Sequence, residues 1–140
     1  MTYRHAHWYL LASLGVIVAG FWESFFRPRG GGSPAHTLHG VTATLWVVAL
    51  VVQSWLMSRG KVRAHRMVAR GAFVLVPVMV LSALYIVAVM FSNPNMPPFL
   101  PPLLAFIDLP TVAFFVALIV LALRNPRRPA AHERFMCATV

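Results

Sequence analysis

The chain has 140 residues, of which 59% are hydrophobic and only 11% are charged. Soluble domains carry about 25% charged residues, so this composition excludes an ordinary soluble enzyme and indicates an integral membrane protein. The net charge is +9, but the basic residues cluster between apolar runs, where anionic lipid headgroups would meet them. That placement argues against a nucleic-acid-binding function. The single cysteine, Cys137, excludes an internal disulfide and a multi-thiolate metal site.

Four apolar runs dominate the sequence, at residues 8–26, 38–57, 71–91 and 103–123. Each is close to the roughly 20 residues that a helix needs to cross the hydrocarbon core. The first run continues through Phe25 and Phe26 without a clear small-residue cleavage site, which argues against a signal peptide. We therefore predict one all-α domain over residues 1–140, an integral membrane four-helix bundle.

The basic residues predict the orientation of this bundle. One lies in the N-terminal segment, five lie between the second and third runs, and four follow the fourth run, whereas two follow the first run and none follows the third. Because cytoplasmic segments are enriched in Lys and Arg, both termini are predicted to be cytoplasmic. The loops after the first and third runs then lie outside.

The C-terminal tail resembles the opening of a further helix. Ala131-His132-Glu133-Arg134 echoes Ala64-His65-Arg66, which precedes the third run, yet the chain stops at Val140. Either the tail lies at the membrane interface or this chain is a shortened form of a longer protein. We favour the second explanation, a bundle truncated before a fifth helix.

Polar residues at the outer ends of three runs form the first candidate site. His36 and His39 are three residues apart and so lie on the same side of a helix. Glu23 in the first run and Asp108 in the fourth lie at a similar depth. Imidazoles and carboxylates bind divalent metals and form proton relays, so these four residues are a candidate metal or proton site. A structural polar clamp, in which a carboxylate pairs with a histidine or with Arg27, is the simpler explanation.

Two further patterns are candidates for cofactor binding, a stripe along the second run and a group of histidines on the cytoplasmic side. His39, Trp46 and Gln53 recur every seven residues and share one helix face, which can pack against other helices or line a cofactor. His65 and His132, or one of them with His7, can hold a haem b between two helices, with arginines meeting its propionates. These histidines lie in charged segments just outside the apolar runs, where histidines at headgroup level are common.

The order of motifs resembles a family of small polytopic bacterial inner-membrane proteins. The motifs are His36-x-x-His39-Gly40, Ala64-His65-Arg66 and Ala131-His132-x-Arg134-x-Met136. The resemblance implies an all-helical fold and an inner-membrane location, and members of that family continue past the last motif with more helices. The resemblance implies no activity. The family is only loosely similar to transmembrane cytochrome b and oxidase-assembly proteins.

For function, the sequence favours a non-enzymatic membrane subunit or an assembly factor of a larger membrane complex. Its partners would be the bilayer, anionic headgroups on the cytoplasmic side and other membrane subunits. The alternative is a redox membrane protein that binds haem b or a divalent metal through boundary histidines. An oligomeric transporter or channel ranks last, because no broken-helix binding motif is visible. No hydrolase or phosphate-loop pattern is present in the sequence.

Overall fold

The computed structural model describes residues 5–27 and 33–140. Within these residues the chain is all-α, with five α-helices, one π-helix and no strand. Arg4 and Arg29, which contribute to the predicted orientation, lie outside the described residues. The helices are, in chain order, α1 (Ala6–Gly20), the π-helix (Trp22–Phe26), α2 (Pro34–Ser58), α3 (Val62–Phe91), α4 (Leu100–Arg124) and α5 (Pro129–Cys137).

Three of the described helices, α2, α3 and α4, are long and apolar enough to cross a membrane. They contain the predicted runs 38–57, 71–91 and 103–123. The first predicted run, 8–26, is divided between α1 and the π-helix, with the change at Phe21. With 15 residues, α1 alone is shorter than the roughly 20 that a crossing needs. The four-helix membrane bundle and its orientation therefore stay predictions.

A tight reversal joins α2 to α3 at Gly60. Its φ of 69° lies in the left-handed region that glycine adopts without a Cβ clash. The Gly60 N–H donates to the carbonyl of Met57 at 3.0 Å, and the Lys61 N–H donates to that of Leu56 at 2.9 Å. This pair of bonds is a Schellman motif, which satisfies the last carbonyls of α2. The short link sets α3 beside α2, the most extensive helix packing in the described chain.

The main core contains buried residues from each of the first four α-helices. They are Leu10, Trp46, Leu50, Met79 and Ile119. Met136 and Cys137 of α5 pack against this cluster, so the C-terminal segment forms a short helix that folds back onto the core. In lipid such contacts stabilise a fold through close packing, because lipid tails are as apolar as the side chains they replace.

The two ends of the helix assembly differ in charge. Exposed basic residues gather at one end, here called the arginine-rich end: Arg59, Lys61, Arg63, Arg66, Arg70, Arg124, Arg127, Arg128 and Arg134. The opposite end, where α2 begins, is called the His36 end. Between the ends α4 exposes large apolar side chains, with Phe106 79% and Phe114 63% exposed. Such surfaces indicate lipid contact.

Candidate functional site

A cavity of about 600 Å³ lies in the His36 end of the structure. Residues from α1, the π-helix, α2, α3 and α4 line it. Its apolar wall includes Ile17, Phe21, Phe25, Ile86, Val112 and Phe115. Its polar lining is His36, His39, Thr44, Asp108 and Thr111, and Trp46, Thr139 and Val140 also line it. Three of the four residues predicted as metal ligands therefore face one cavity.

His39 joins α2 to α3. Its Nδ1 lies 3.3 Å from the carbonyl oxygen of Met79 and 3.2 Å from the hydroxyl oxygen of Ser82. The Ser82 hydroxyl itself donates to the Met79 carbonyl at 2.8 Å. Because both oxygens are then acceptors toward the ring, Nδ1 must carry the proton. In the neutral ring Nε2 holds the lone pair, as in histidines that bind a metal or accept a hydrogen bond.

His36 makes only local bonds within the described chain. Its Nδ1 lies 2.7 Å from the hydroxyl of Ser33, and its backbone N–H donates to the same oxygen at 3.4 Å. Ser33 is the N-cap of α2, with Pro34 in the first turn, an arrangement that satisfies orphan N–H groups and starts the helix. His36 thus contributes to the start of α2, whereas His39 connects two helices.

The two predicted carboxylates have different surroundings. Glu23 forms an ion pair with Arg27 over 3.0 Å, one helical turn away on the exposed surface, and it does not line the cavity. Asp108 lines the cavity and is half-buried. In residues 5–27 and 33–140, the carboxylate of Asp108 forms no hydrogen bond or ion pair.

The four predicted metal ligands are not assembled as one set. Within the described parts of the chain, no three His, Cys, Asp or Glu side chains come together in a way that could hold a metal ion. Glu23 pairs with Arg27 instead, and His36 bonds to Ser33. The interhelical clamp is made by His39 with α3, a partner other than the carboxylates and arginine that the sequence suggested.

A close contact between Gly40 and Phe25 shapes the cavity wall. A Cβ added at Gly40 would lie 2.5 Å from the ring of Phe25. Glycine at this position therefore lets the aromatic ring lie directly on the backbone of α2. The ring of Phe25 also packs edge-to-face on Phe26, with centroids 4.9 Å apart. The π-helix is in this way held against the first turns of α2.

Trp46 lies between the main core and the cavity. It is 3% exposed, and its ring packs edge-to-face on Phe115 with centroids 5.7 Å apart. Its indole N–H donates to the hydroxyl of Thr139 at 3.1 Å. Trp46 is thus buried, and His39 and Gln53 of the same seven-residue stripe are half-buried. Trp46 lines the cavity, so any cofactor that it contacts would lie there. Gln53, which the sequence also predicted to line a cofactor, lies beside His65 instead.

His65 of α3 and His132 of α5 lie near the arginine-rich end. Nδ1 of His132 donates to the carbonyl of Ala122 at 2.9 Å, which leaves the lone pair on Nε2. His65 lies close enough to His132 and to the Gln53 backbone for both to act on its charge. The two predicted haem ligands are therefore neighbours.

Buried polar atoms without a partner accompany this pair. In the described residues they are Nδ1 of His7, Oε1 of Gln53 and Nδ1 of His65. An unpaired buried polar atom costs about 1–3 kcal/mol. Gln53 and His65 thus retain free hydrogen-bonding capacity at the place where the sequence predicted a cofactor.

Several residues of the cavity did not emerge from the sequence. Thr139 and Phe25 reach it through the return of α5 and through the π-helix, and neither was expected. The Ser33-Pro34 pair was a usable signal for the start of α2, because serine at the N-cap and proline in the first turn recur at helix starts. No comparable local pattern marks Thr139.

No known protein family, curated protein or solved structure matches the chain.

Proposed function

We propose that this chain is a non-enzymatic integral membrane protein, an accessory subunit or assembly factor, that holds an amphipathic small molecule in the cavity at its His36 end. The cavity itself carries this proposal. Small-molecule sites are concave and mostly apolar, with a few polar groups that orient the ligand. Here His39 and Asp108 are those groups, and the aromatic rings supply the apolar wall.

The hydrogen bonds of the histidines support a binding role over a catalytic one. In residues 5–27 and 33–140, the rings of His36, His39 and His132 bond to backbone carbonyls or to hydroxyls, and no histidine bonds to a carboxylate. A histidine that acts as a general base usually needs such an orienting carboxylate. The Ser33–His36 contact belongs to a helix cap, so it is no nucleophile–base pair.

The proposed location is a bacterial inner membrane, with the arginine-rich end in the cytoplasm. The exposed arginines of that end favour contact with anionic headgroups, each contributing about 1 kcal/mol near a charged surface. Arg59 and Lys61 lie over the ring of Trp55, at 5.8 Å and 5.3 Å from its centroid. This grouping of cations with an indole suits a membrane interface.

The sparse packing of α4 supports association with other membrane subunits. It packs mainly against α3 and α5, and it exposes Phe106, Ile107 and Phe114. A photoreactive residue at Phe114 should therefore crosslink to another membrane protein in intact membranes, whereas the same residue at Arg127 should not. Exclusive crosslinking to lipid, with migration as an isolated monomer in mild detergent, would contradict the role in a complex.

Ligand retention tests the cavity directly. The protein is extracted in mild detergent and its bound small molecules are measured by native mass spectrometry. We expect one retained molecule per chain, and loss of it in Ala83→Phe, because Ala83 lines the cavity. Ala88→Phe on the exposed face of α3 is the matched control and should retain it. An equal load in Ala83→Phe and wild type would refute the cavity as the site.

A second candidate function is redox chemistry with haem b held by His65 and His132. It is favoured by the free Nε2 of His132 beside His65, with unpaired polar atoms nearby. Haem would supply one-electron chemistry when bound, and His65 and His132 are the residues that would hold its iron. Purified protein reconstituted with haem should then give a six-coordinate spectrum that His132→Ala loses and His36→Ala keeps. A spectrum identical to that of free haem would reject this alternative.

A further inference from the structure

Asp108 gives the cavity an acidic character. It lies on α4 and is the one Asp or Glu among the described residues that line the cavity, whose wall is mainly apolar. None of the described residues that line the cavity is Lys or Arg. Charged groups at membrane depth are costly and are usually paired with an opposite charge. A cationic group on the occupant would supply that pairing.

His39 adds a second acceptor at the same cavity. Its Nδ1–H is engaged by the Met79 carbonyl, so Nε2 offers a lone pair. Both of these groups then accept hydrogen bonds, and the hydroxyls of Thr44, Thr111 and Thr139 already donate to backbone carbonyls. A primary ammonium group has three N–H donors and a positive charge, and it suits both acceptors at once.

The aromatic wall suits the remaining parts of such a molecule. Phe21, Phe25 and Phe115 line the cavity with Ile17 and Ile86. A cation near the face of an aromatic ring is attracted to it, and an alkyl chain packs well on the same surfaces. Glu23 of the π-helix does not line the cavity and is already paired with Arg27.

We infer that the cavity selects an amphiphile with a primary ammonium head and an apolar tail, its head held by Asp108 and His39. This inference rests on the proposed ligand-holding function and names the class of ligand. A lipid with an amine headgroup and a free long-chain amine share this chemistry. Asp108 is a positioning group for the head, and the phenylalanines receive the tail.

Four probes of equal chain length test the head group: dodecylammonium, dodecyltrimethylammonium, dodecanol and dodecanoate. Each is titrated into the purified full chain in mild detergent, and bound probe per chain is counted by native mass spectrometry. Dodecylammonium should bind one per chain and about tenfold or more tighter than dodecanol, because hydrogen bonds to a charged group are the strong ones. The trimethyl probe keeps the charge but has no N–H, so it should bind between the two.

Two variants assign the selectivity to one carboxylate. Asp108→Asn should abolish the preference for dodecylammonium over dodecanol, whereas Glu23→Gln, the same change outside the cavity, should leave it intact.

If every probe fails to bind wild type, the cavity function itself is overturned. Binding of dodecanol as tight as dodecylammonium overturns the amine inference alone, and this wild-type comparison holds even if Asp108→Asn fails to fold. Competition from vesicles that contain a lipid with an amine headgroup would identify such a lipid as the occupant. A failure of these vesicles to compete with the probe would identify a free amine.

Discussion

The indole N–H of Trp46 donates a hydrogen bond of 3.1 Å to the hydroxyl of Thr139, a residue 93 positions further along the chain. The same hydroxyl donates to the carbonyl of Met136 at 2.6 Å. Thr139 is therefore both fixed by the last turn of α5 and bonded to the middle of α2. This bond connects the returning segment to the core.

Replacement of Thr139 by valine should loosen the returning segment. It keeps the side-chain shape but removes the acceptor of the Trp46 N–H, at a cost of about 1 kcal/mol or somewhat more for the buried donor left unpaired. Labelling of the Cys137 thiol measures this loosening, because Cys137 packs against the core and burial raises the pKa of its thiol. We expect faster maleimide labelling of Cys137 in Thr139→Val than in wild type.

Thr111→Val is the matched control for that change. The Thr111 hydroxyl bonds only to the carbonyl of Ile107 one turn earlier in α4, so this variant should label Cys137 at the wild-type rate. Equal labelling of both variants would show that the interhelical bond does not hold α5.

Gly40→Ala should disturb the packing of the π-helix on α2. The added Cβ would lie 2.5 Å from the Phe25 ring, so the ring must move. Overpacking of this kind costs about 1–3 kcal/mol. Denaturant titration in detergent micelles should show that loss, together with weaker retention of the cavity ligand. Gly15→Ala is the control, because nothing lies within 4 Å of its added Cβ, and its stability should match wild type or exceed it by less than about 1 kcal/mol.

The two histidines of the His36 end should differ in their contribution to stability. His39→Ala removes an interhelical bond to Met79 and Ser82, and such bonds contribute about 0.6 kcal/mol on average and up to about 1.7. His36→Ala removes a side-chain contact within its own helix cap, while the backbone bond to Ser33 remains. Unfolding of both variants in the same detergent should rank His39→Ala as the less stable. The reverse ranking would contradict the assignment of His39 as the clamp.

Glu133 should make the stability depend on pH. Burial raises the pKa of this carboxyl above its ordinary value of 4.5, against a smaller opposing effect of His132. The folded state then binds the proton more tightly than the unfolded state, so the contribution of Glu133 to stability is fully present below pH 4.5 and is lost as pH rises through the raised pKa. Unfolding measured across this range should show that fall in wild type and in Glu23→Gln. A Glu133→Gln variant with an unchanged pH profile would exclude Glu133 as its source.

The apolar runs predicted the long helices closely but missed where α3 begins. Three long helices follow from runs of apolar residues, because each must satisfy its backbone groups internally. Hydropathy placed the third at residue 71, yet α3 starts at Val62. The intervening turns carry Arg63, Arg66 and Arg70, which are exposed and remain compatible with a helix although they are too polar for a crossing.

Pairing between helices was the harder part of the site to predict. The seven-residue spacing placed Trp46 on the inward face of α2, and depth along the runs placed Asp108 near His39. His39 bonds to the Ser82 hydroxyl and to the Met79 backbone carbonyl of α3, and a carbonyl leaves no trace in residue identity. The pairing of Glu23 with Arg27 within one turn was among the alternatives, since oppositely charged residues four apart on a helix attract each other.

Because Thr139 and Val140 line the cavity, its shape depends on the position of α5. A molecule bound there would favour the docked arrangement of α5, and by thermodynamic reciprocity docking would raise the affinity for that molecule by the same factor. Arg128 is the N-cap of this short helix and Arg134 lies in its last turn. A change in the docking of α5 near the arginine-rich end would therefore change the occupancy of the cavity in the His36 end.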